Sequence, residues 1–346
     1  MKNIKNKLIL LILFAISMTV LSGCGGVALG DDVTVWRFGH EETPGSIQDI
    51  YSFEFKRLIE ERSGGDIQVE IYRAGEIGEV TDYLEFTQGG LLQFCILNPG
   101  TTATTIPENN IFYNHFLMPE DKEDIKELLR TSEAIDMLNE LNLENDLMVL
   151  DWFYEGFNAW TADKEIRSPE DFRGVKIRTM ASPLIVSSYQ AYGANPTPLS
   201  YTEVYSGLQL KQIDAQVNPL FAIEEMKFYE VQNNLIQAKQ DGFFASLAAN
   251  PTFYEELDPQ TREMLDEVVL ELNDFIIDKQ EEVNDERLEK IKANSDINIV
   301  ELTEEEREIF RQAAQPVRDE FLDSVGEKGA EILRIMEEDS LRIINE

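Results

Sequence analysis

Apolar positions change their spacing repeatedly along this chain, from every second residue to every third or fourth and back. Val33–His40 alternates as a strand and runs into a Gly/Pro turn at Thr43–Ser46. Ile47–Ser63 then carries Tyr51, Phe55, Leu58 and Ile59 on one face of a helix that Gly64-Gly65 ends. Asp66–Tyr72 alternates as a second strand, and Val80–Gly89 reads as a second helix. Leu91–Leu97 (LLQFCIL) is a continuous apolar run, as a strand buried on both faces requires. Strand, helix, strand, helix, strand predicts the start of a parallel α/β sheet. Farther on, Leu147–Ala162 is a long strand-like run expected to cross from this unit into another. Ser168-Pro169 predicts a helix start, with Ser as cap and Pro at the first position. Ser200-Tyr201-Thr202-Glu203 predicts a capping box for a helix reaching Lys211. From Pro259 to about Lys292 a stripe of Leu265, Val268, Val269, Leu272, Phe275 and Ile276 predicts an unusually long helix, and Thr303–Phe310 (TEEEREIF) begins a second. The architecture expected is α/β, with two lobes joined by hinge-crossing strands and braced by long C-terminal helices. Residues 33–155 plus about 243–283 form lobe I; 156–242 plus about 284–346 form lobe II and the C-terminal helices.

The first 23 residues stand apart from this alternation. Lys2, Lys5 and Lys7 precede an apolar run from Leu8 to Leu21 without an acidic residue, the layout of a secretory signal. The run falls short of the roughly 20 residues that span a bilayer. It ends in Leu21-Ser22-Gly23-Cys24, the small-residue box of bacterial lipoprotein signals. Cleavage before Cys24 would leave that cysteine free for acylation, with 24–32 as a tether. Cys95 would then be alone, a buried thiol with no disulfide framework. The formal charge is −36; losing the signal removes three of 30 basic residues and none of 66 acids, which leaves −39. Such a surface excludes nucleic acid and anionic membrane surfaces as primary partners. A small anion is still within reach of one cation held in a dry cleft.

Catalysis finds little support. The chain has no Gly-x-Ser-x-Gly, no His-Glu-x-x-His and no phosphate loop, and its only histidines are His40 and His115. With 66 acids, no particular pair of carboxylates stands out. No catalytic residue, metal or cofactor is expected. Binding chemistry is more legible. Arg178, in VKIRTM, and Asn218, in QVNP, sit at the ends of two apolar runs joined by a turn-rich GANPTPLS and an amphipathic helix. Strand ends that converge after such connections are where open α/β sheets place ligand groups. The apolar flanks of Arg178 imply burial, and a buried Arg needs a partner, either one of the chain's own acids or an anionic ligand. Asn218 reads equally as a turn residue before Pro219.

This order, GVKIRTM, then GANPTP, then EVYSGLQ, then DAQVNP, resembles the solute-binding proteins of tripartite ATP-independent periplasmic (TRAP) transporters, without a gap from Gly174 to about Glu230. FGHEETPGS and RSGGDIQVEIYRAGEIG are similar to the family's opening segments, less specifically. The resemblance implies a two-lobed, hinge-closing, periplasmic-binding-protein-like fold. It also implies an extracytoplasmic receptor, not an enzyme, that captures a small organic acid and delivers it to TRAP membrane subunits. Arg178 would take the substrate carboxylate, with Asn218 and Tyr201 completing the cradle. Where many relatives carry a second Arg, this chain has Asn158, which points to a carboxylate held by Arg178 alone or to a different polar tail. Trp152, Phe157 and Trp160 suggest an aromatic cleft wall, or else core. His40, Glu79 and Asn98 follow predicted elements and are further candidates, each with a structural alternative. The alternative function is a binding lipoprotein of an ABC importer or a sensor.

Overall fold

The computed structural model describes residues 33–346, so the signal segment, Cys24 and the tether lie outside the described residues. Strand β1 (Thr34–His40) is flanked in parallel by β2 (Ile67–Tyr72) and β3 (Phe94–Leu97). Helix α1 (Ile47–Arg62) makes the crossover, capped by Ser46, whose Oγ accepts from Asp49 N at 3.1 Å. Its predicted face is the buried one, with Tyr51, Phe55 and Ile59 fully enclosed. Helix α2 (Asp82–Gln88) leads into β3, where four residues of the longer apolar run are paired. The short α3 (Pro99–Thr102) follows, then α4 (Lys122–Thr131) and α5 (Glu133–Glu144).

β4 (Met148–Ala162) is the long strand expected at the crossing. From Met148 to Phe157 it pairs antiparallel with β9 (Gly242–Ala249); from Asn158 to Ala162 it pairs with β7 (Ala215–Pro219) and β8 (Asn234–Gln237). β5 (Lys176–Thr179) runs parallel to both β7 and β6 (Asn195–Pro198), and β10 (Asn298–Glu301) parallel to β8. The main path of the sheet is β2-β1-β3-β9-β4-β7-β5-β6. Two parallel halves therefore meet across an antiparallel β9–β4 seam. The carboxyl ends of β1, β3, β5 and β7, where parallel sheets bind ligands, open beside that seam.

The helices of the second half are α6 (Pro183–Ala191), α7 (Val204–Gln209), α8 (Leu220–Glu225) and α9 (Pro251–Glu256). Two long helices close the chain. α10 (Pro259–Asn294), capped by Asp258, packs on α1, β4 and α8. α11 (Glu304–Asn345), broken by a kink at Gly326 (φ +66°), opens with a Thr303/Glu306 capping box and packs on α4, α5 and α6.

Three local expectations are corrected. GANPTPLS is not all turn: Asn195–Pro198 forms a strand on the sheet edge, where proline's missing N–H costs no ladder bond. The Ser200/Glu203 side chains bond each other at 2.8 Å rather than capping backbone amides, and a 3-10 turn at Tyr201–Glu203 precedes α7. Ser168-Pro169 opens a single 3-10 turn, Pro169–Phe172, instead of an α-helix. Cys95 is buried and unbridged in β3.

Candidate functional site

β5 ends in the sequence Lys-Ile-Arg-Thr, which alternates across the sheet and brings Arg178 beside Gln216 of β7. Arg178 is 3% exposed. Its Nε donates to Leu199 O at 2.9 Å, while Nη1 is sealed from solvent without a partner. Among the described residues no carboxylate forms an ion pair with it. Burial pushes the guanidinium down to about 10, still charged at neutral pH. Tyr201 flanks Arg178, and burial raises its phenol well above the usual range. One strand over, Asn218 is buried at the end of β7, its Nδ2 donating to Gln216 Oε1. Asn218 lines a narrow cavity of about 10 Å³, room for about one water, together with Tyr113, Asn158, Met180, Ile185, Tyr189, Val217, Asp241 and Phe243.

The first half of the sheet supplies acids. Glu41 and Glu42 follow β1 directly, and Glu155 sits inside β4. Asn98 N donates to Glu41 Oε2 at 3.0 Å, and Gln48 Nε2 donates to Glu155 Oε1 at 3.1 Å. Glu41 and Glu42 are each pushed up to about 8, in both cases chiefly by burial, and Glu155 rises well above the carboxylate range for the same reason. Asp241, ahead of β9, is raised to about 7, again by burial. At neutral pH Glu41, Glu42 and Glu155 are largely protonated and Asp241 about half so, because no cation among the described residues offsets their desolvation. Among the described residues, then, Arg178 is buried without an acid partner, and Glu41, Glu42, Glu155 and Asp241 are desolvated without a basic one.

The other candidates are placed as follows. Asn158 lines the cavity and its Nδ2 donates to Asp241 Oδ2 at 2.9 Å. His40 is enclosed at the end of β1: its Nδ1 accepts from Glu42 N at 3.3 Å, and its Nε2 lies 3.3 Å from Asp49 Oδ1. That holds the turn carrying Glu41 and Glu42. Asn98 is also fully engaged, accepting from Gly100 N at 2.9 Å and from Tyr113 Oη and donating to Phe244 O at 3.1 Å. It thereby positions the Tyr113 ring. Two candidates lie elsewhere. Glu79 is exposed on the loop before α2, where an acid keeps its hydration. Trp160 is core: its Nε1 donates to Tyr189 Oη at 2.8 Å, and Phe172 and Phe310 pack on its ring. Trp152 is likewise buried, donating to Asn139, and half-buried Phe157 lies near Lys239. The rings that do reach the cavity are Tyr113, Tyr189 and Phe243. Sequence reasoning missed these and the four acids; the acids directly after β1 had a usable signal, since strand ends face the cleft.

The family profile described as bacterial extracellular solute-binding protein, family 7 (DctP), matches residues 38–324. The chain is similar to the ectoine-binding periplasmic protein TeaA of Halomonas elongata, 41% identical over 86% of this chain and 87% of that one. It is also similar to the ectoine/5-hydroxyectoine-binding periplasmic protein UehA of Ruegeria pomeroyi, 36% identical over 88% and 90%. The solved structure of the ectoine-binding protein of the TeaABC TRAP transporter of Halomonas elongata superposes with a TM-score of 0.85 at 39% identity, covering 89% of this chain and 99% of that one.

Proposed function

The chain belongs to the DctP family, the family 7 bacterial extracellular solute-binding proteins, and we propose, from the ligand for which two of its relatives are named, that it binds a zwitterionic monocarboxylate of the ectoine class. It is the extracytoplasmic receptor of a TRAP transporter, taking a small organic acid between its lobes and delivering it to the membrane subunits. The observation that carries the ligand reading is Arg178, a buried guanidinium with a free Nη1 and no acid paired to it. An uncompensated buried cation is unfavourable by several kcal/mol until an anion enters, so the empty site is poised for a carboxylate. A second anionic group would meet Asp241, Glu41 or Glu42 rather than another base. Asn158, neutral, adds no positive charge there. Ectoine joins one carboxylate to a positively charged cyclic amidine, and two relatives carry it in their names.

In this reading Arg178 holds the carboxylate, Asn218 donates beside it and Tyr201 shields the pair from water. Closure bends β4 and β9 near Phe157 and Gly242, where β4 exchanges one partner for the next. The ligand is released unchanged, and Cys24 carries a lipid that keeps the receptor at the membrane. Calorimetric titration with ectoine, succinate and a sugar acid tests the ligand. Ectoine is expected to bind most tightly, and at 100 times its Kd to stabilise the protein by about 2.7 kcal/mol. Arg178→Ala is expected to abolish binding; retained micromolar binding in that variant refutes the role of Arg178.

A further inference from the structure

Helix α10 presents Asn284 and Arg287 on one face, and their bonds reach both halves of the sheet. Asn284 accepts from Phe221 N at 3.2 Å, in α8, and donates to Glu155 O at 2.8 Å, on β4. One turn later the Arg287 guanidinium divides between two partners. Its Nη1 donates to Glu224 Oε2 at 2.6 Å, on α8, and its Nη2 to Gly45 O at 3.2 Å, in the turn after β1. β1 belongs to the first parallel half of the sheet, whereas α8 follows directly from β7 in the second. The ion pair is largely enclosed, with side-chain exposures of 23% for Arg287 and 15% for Glu224, so salt screens it less than a surface pair. Neither residue lines the cavity beside Asn218.

Each end of this bridge is itself fixed. Gly45 N donates to Asp49 Oδ2 at 2.8 Å, and Asp49 Oδ1 accepts from Arg73 Nε at 2.8 Å, which locks the turn to α1 and to the residue after β2. Gly45 has φ +87°, a conformation that favours glycine. At the other end, α8 hangs from β7 through Pro219, next to Asn218. α10 cannot follow both partners. Nearer its N-terminus it is held to α1, where Arg62 pairs with Glu267 and Glu271, and it runs on as one helix of 36 residues. A rod anchored on the first half loses its bonds to α8 whenever the second half swings away.

We propose that Arg287 is the latch of lobe closure: its bridge from Gly45 to Glu224 is complete only with the two halves drawn together, and it governs how long a ligand stays. This inference rests on the closure proposed above and adds a positioning residue remote from the ligand. Because the bridge forms after the ligand has entered, it acts on departure rather than on arrival. The guanidinium suits the task, since its planar fork reaches two acceptors at once, which the single ammonium of a lysine does not do in a fixed geometry.

The test is a double-mutant cycle on ligand kinetics with the wild type, Arg287→Gln, Glu224→Gln and the double variant. Ectoine association and dissociation are followed by stopped-flow tryptophan fluorescence, and melting curves without ligand confirm that each variant is folded. Each single variant is expected to speed dissociation roughly 5- to 20-fold and to leave association within about twofold. The double variant should be no faster than the quicker single one, because both substitutions remove the same bridge. An ion pair that only braces the fold would lower all three melting temperatures and leave dissociation unchanged; that result, with ectoine bound by the wild type, overturns the latch and leaves the ligand reading standing. A wild type that ignores ectoine overturns the ligand reading. The cycle is then read with succinate or galacturonate, whichever the wild type binds, and equal dissociation rates again overturn the latch. Failure of all three to bind the wild type overturns both.

Discussion

Burying a guanidinium without an anion is unfavourable by several kcal/mol, and Arg178 does this in the unliganded protein. Arg178→Met is therefore expected to raise unliganded stability by roughly 1–3 kcal/mol in a urea titration while eliminating ligand binding. A destabilised variant would mean that Arg178 has a structural partner after all. The acids act in the same sense. Glu41 and Glu42 at about 8 and Asp241 at about 7 titrate far above their unfolded values near 4, so the folded state binds more protons between those limits. Their stabilisation is complete below pH 4 and disappears as pH rises through 7 to 8, by up to about 1.4 kcal/mol per pH unit for each group. Melting temperature without ligand should fall from pH 5 to pH 8.5, less steeply in Glu41→Gln; identical slopes would count against burial of Glu41. The roles proposed for Arg178, Asn158 and Asn218 were legible in the sequence because each lies in a strand-end motif. Asp241 was not, since an Asp-Gly pair before an apolar run looks like any turn. Nor could spacing tell that the Trp160 ring joins the core, because an aromatic at an alternating position suits either face.

Among the elements, β4 carries the most tension. Its register slips between Val149 and Asp151 and again between Tyr154 and Gly156, and Gly156 has φ +122°. A Cβ there would lie 2.5 Å from Asn284 Nδ2. Asn284 reaches from α10 to donate to Glu155 O at 2.8 Å and accept from Phe221 N at 3.2 Å, so one side chain ties the crossing strand to the segment after Asn218. Gly156→Ala combines strain with a clash and is expected to lower stability by at least about 2 kcal/mol, measured by chemical denaturation. A neutral result would show that Asn284 moves aside freely. Periodicity predicted α1, α10 and β4 almost to the residue, since each is long and strongly patterned. It missed β6, whose prolines argue against a strand wherever both edges must be paired.

At the scale of the molecule, the two parallel halves of the sheet come together across β9–β4, and α10 and α11 clasp the outside. A ligand bound on both sides of that seam should draw the halves together, and small-angle scattering with ectoine is expected to give a smaller radius of gyration than without. An unchanged radius would argue against closure. Cys24→Ser is expected to move the receptor from the membrane fraction to the soluble one; persistence in the membrane fraction would refute a lipid anchor at that residue. Local order along the chain was enough to establish the alternation of strands and helices, the two-part architecture and the Arg178-to-Asn218 motif, because each depends on residues close in sequence. That Glu41, Glu42, Glu155 and Asp241 would be desolvated, and would meet no base among the described residues, was settled by packing. Glu41, Glu155 and Asp241 come from segments 86 or more residues apart. Their desolvation exists only once α1, the crossing strands and α10 have closed over them.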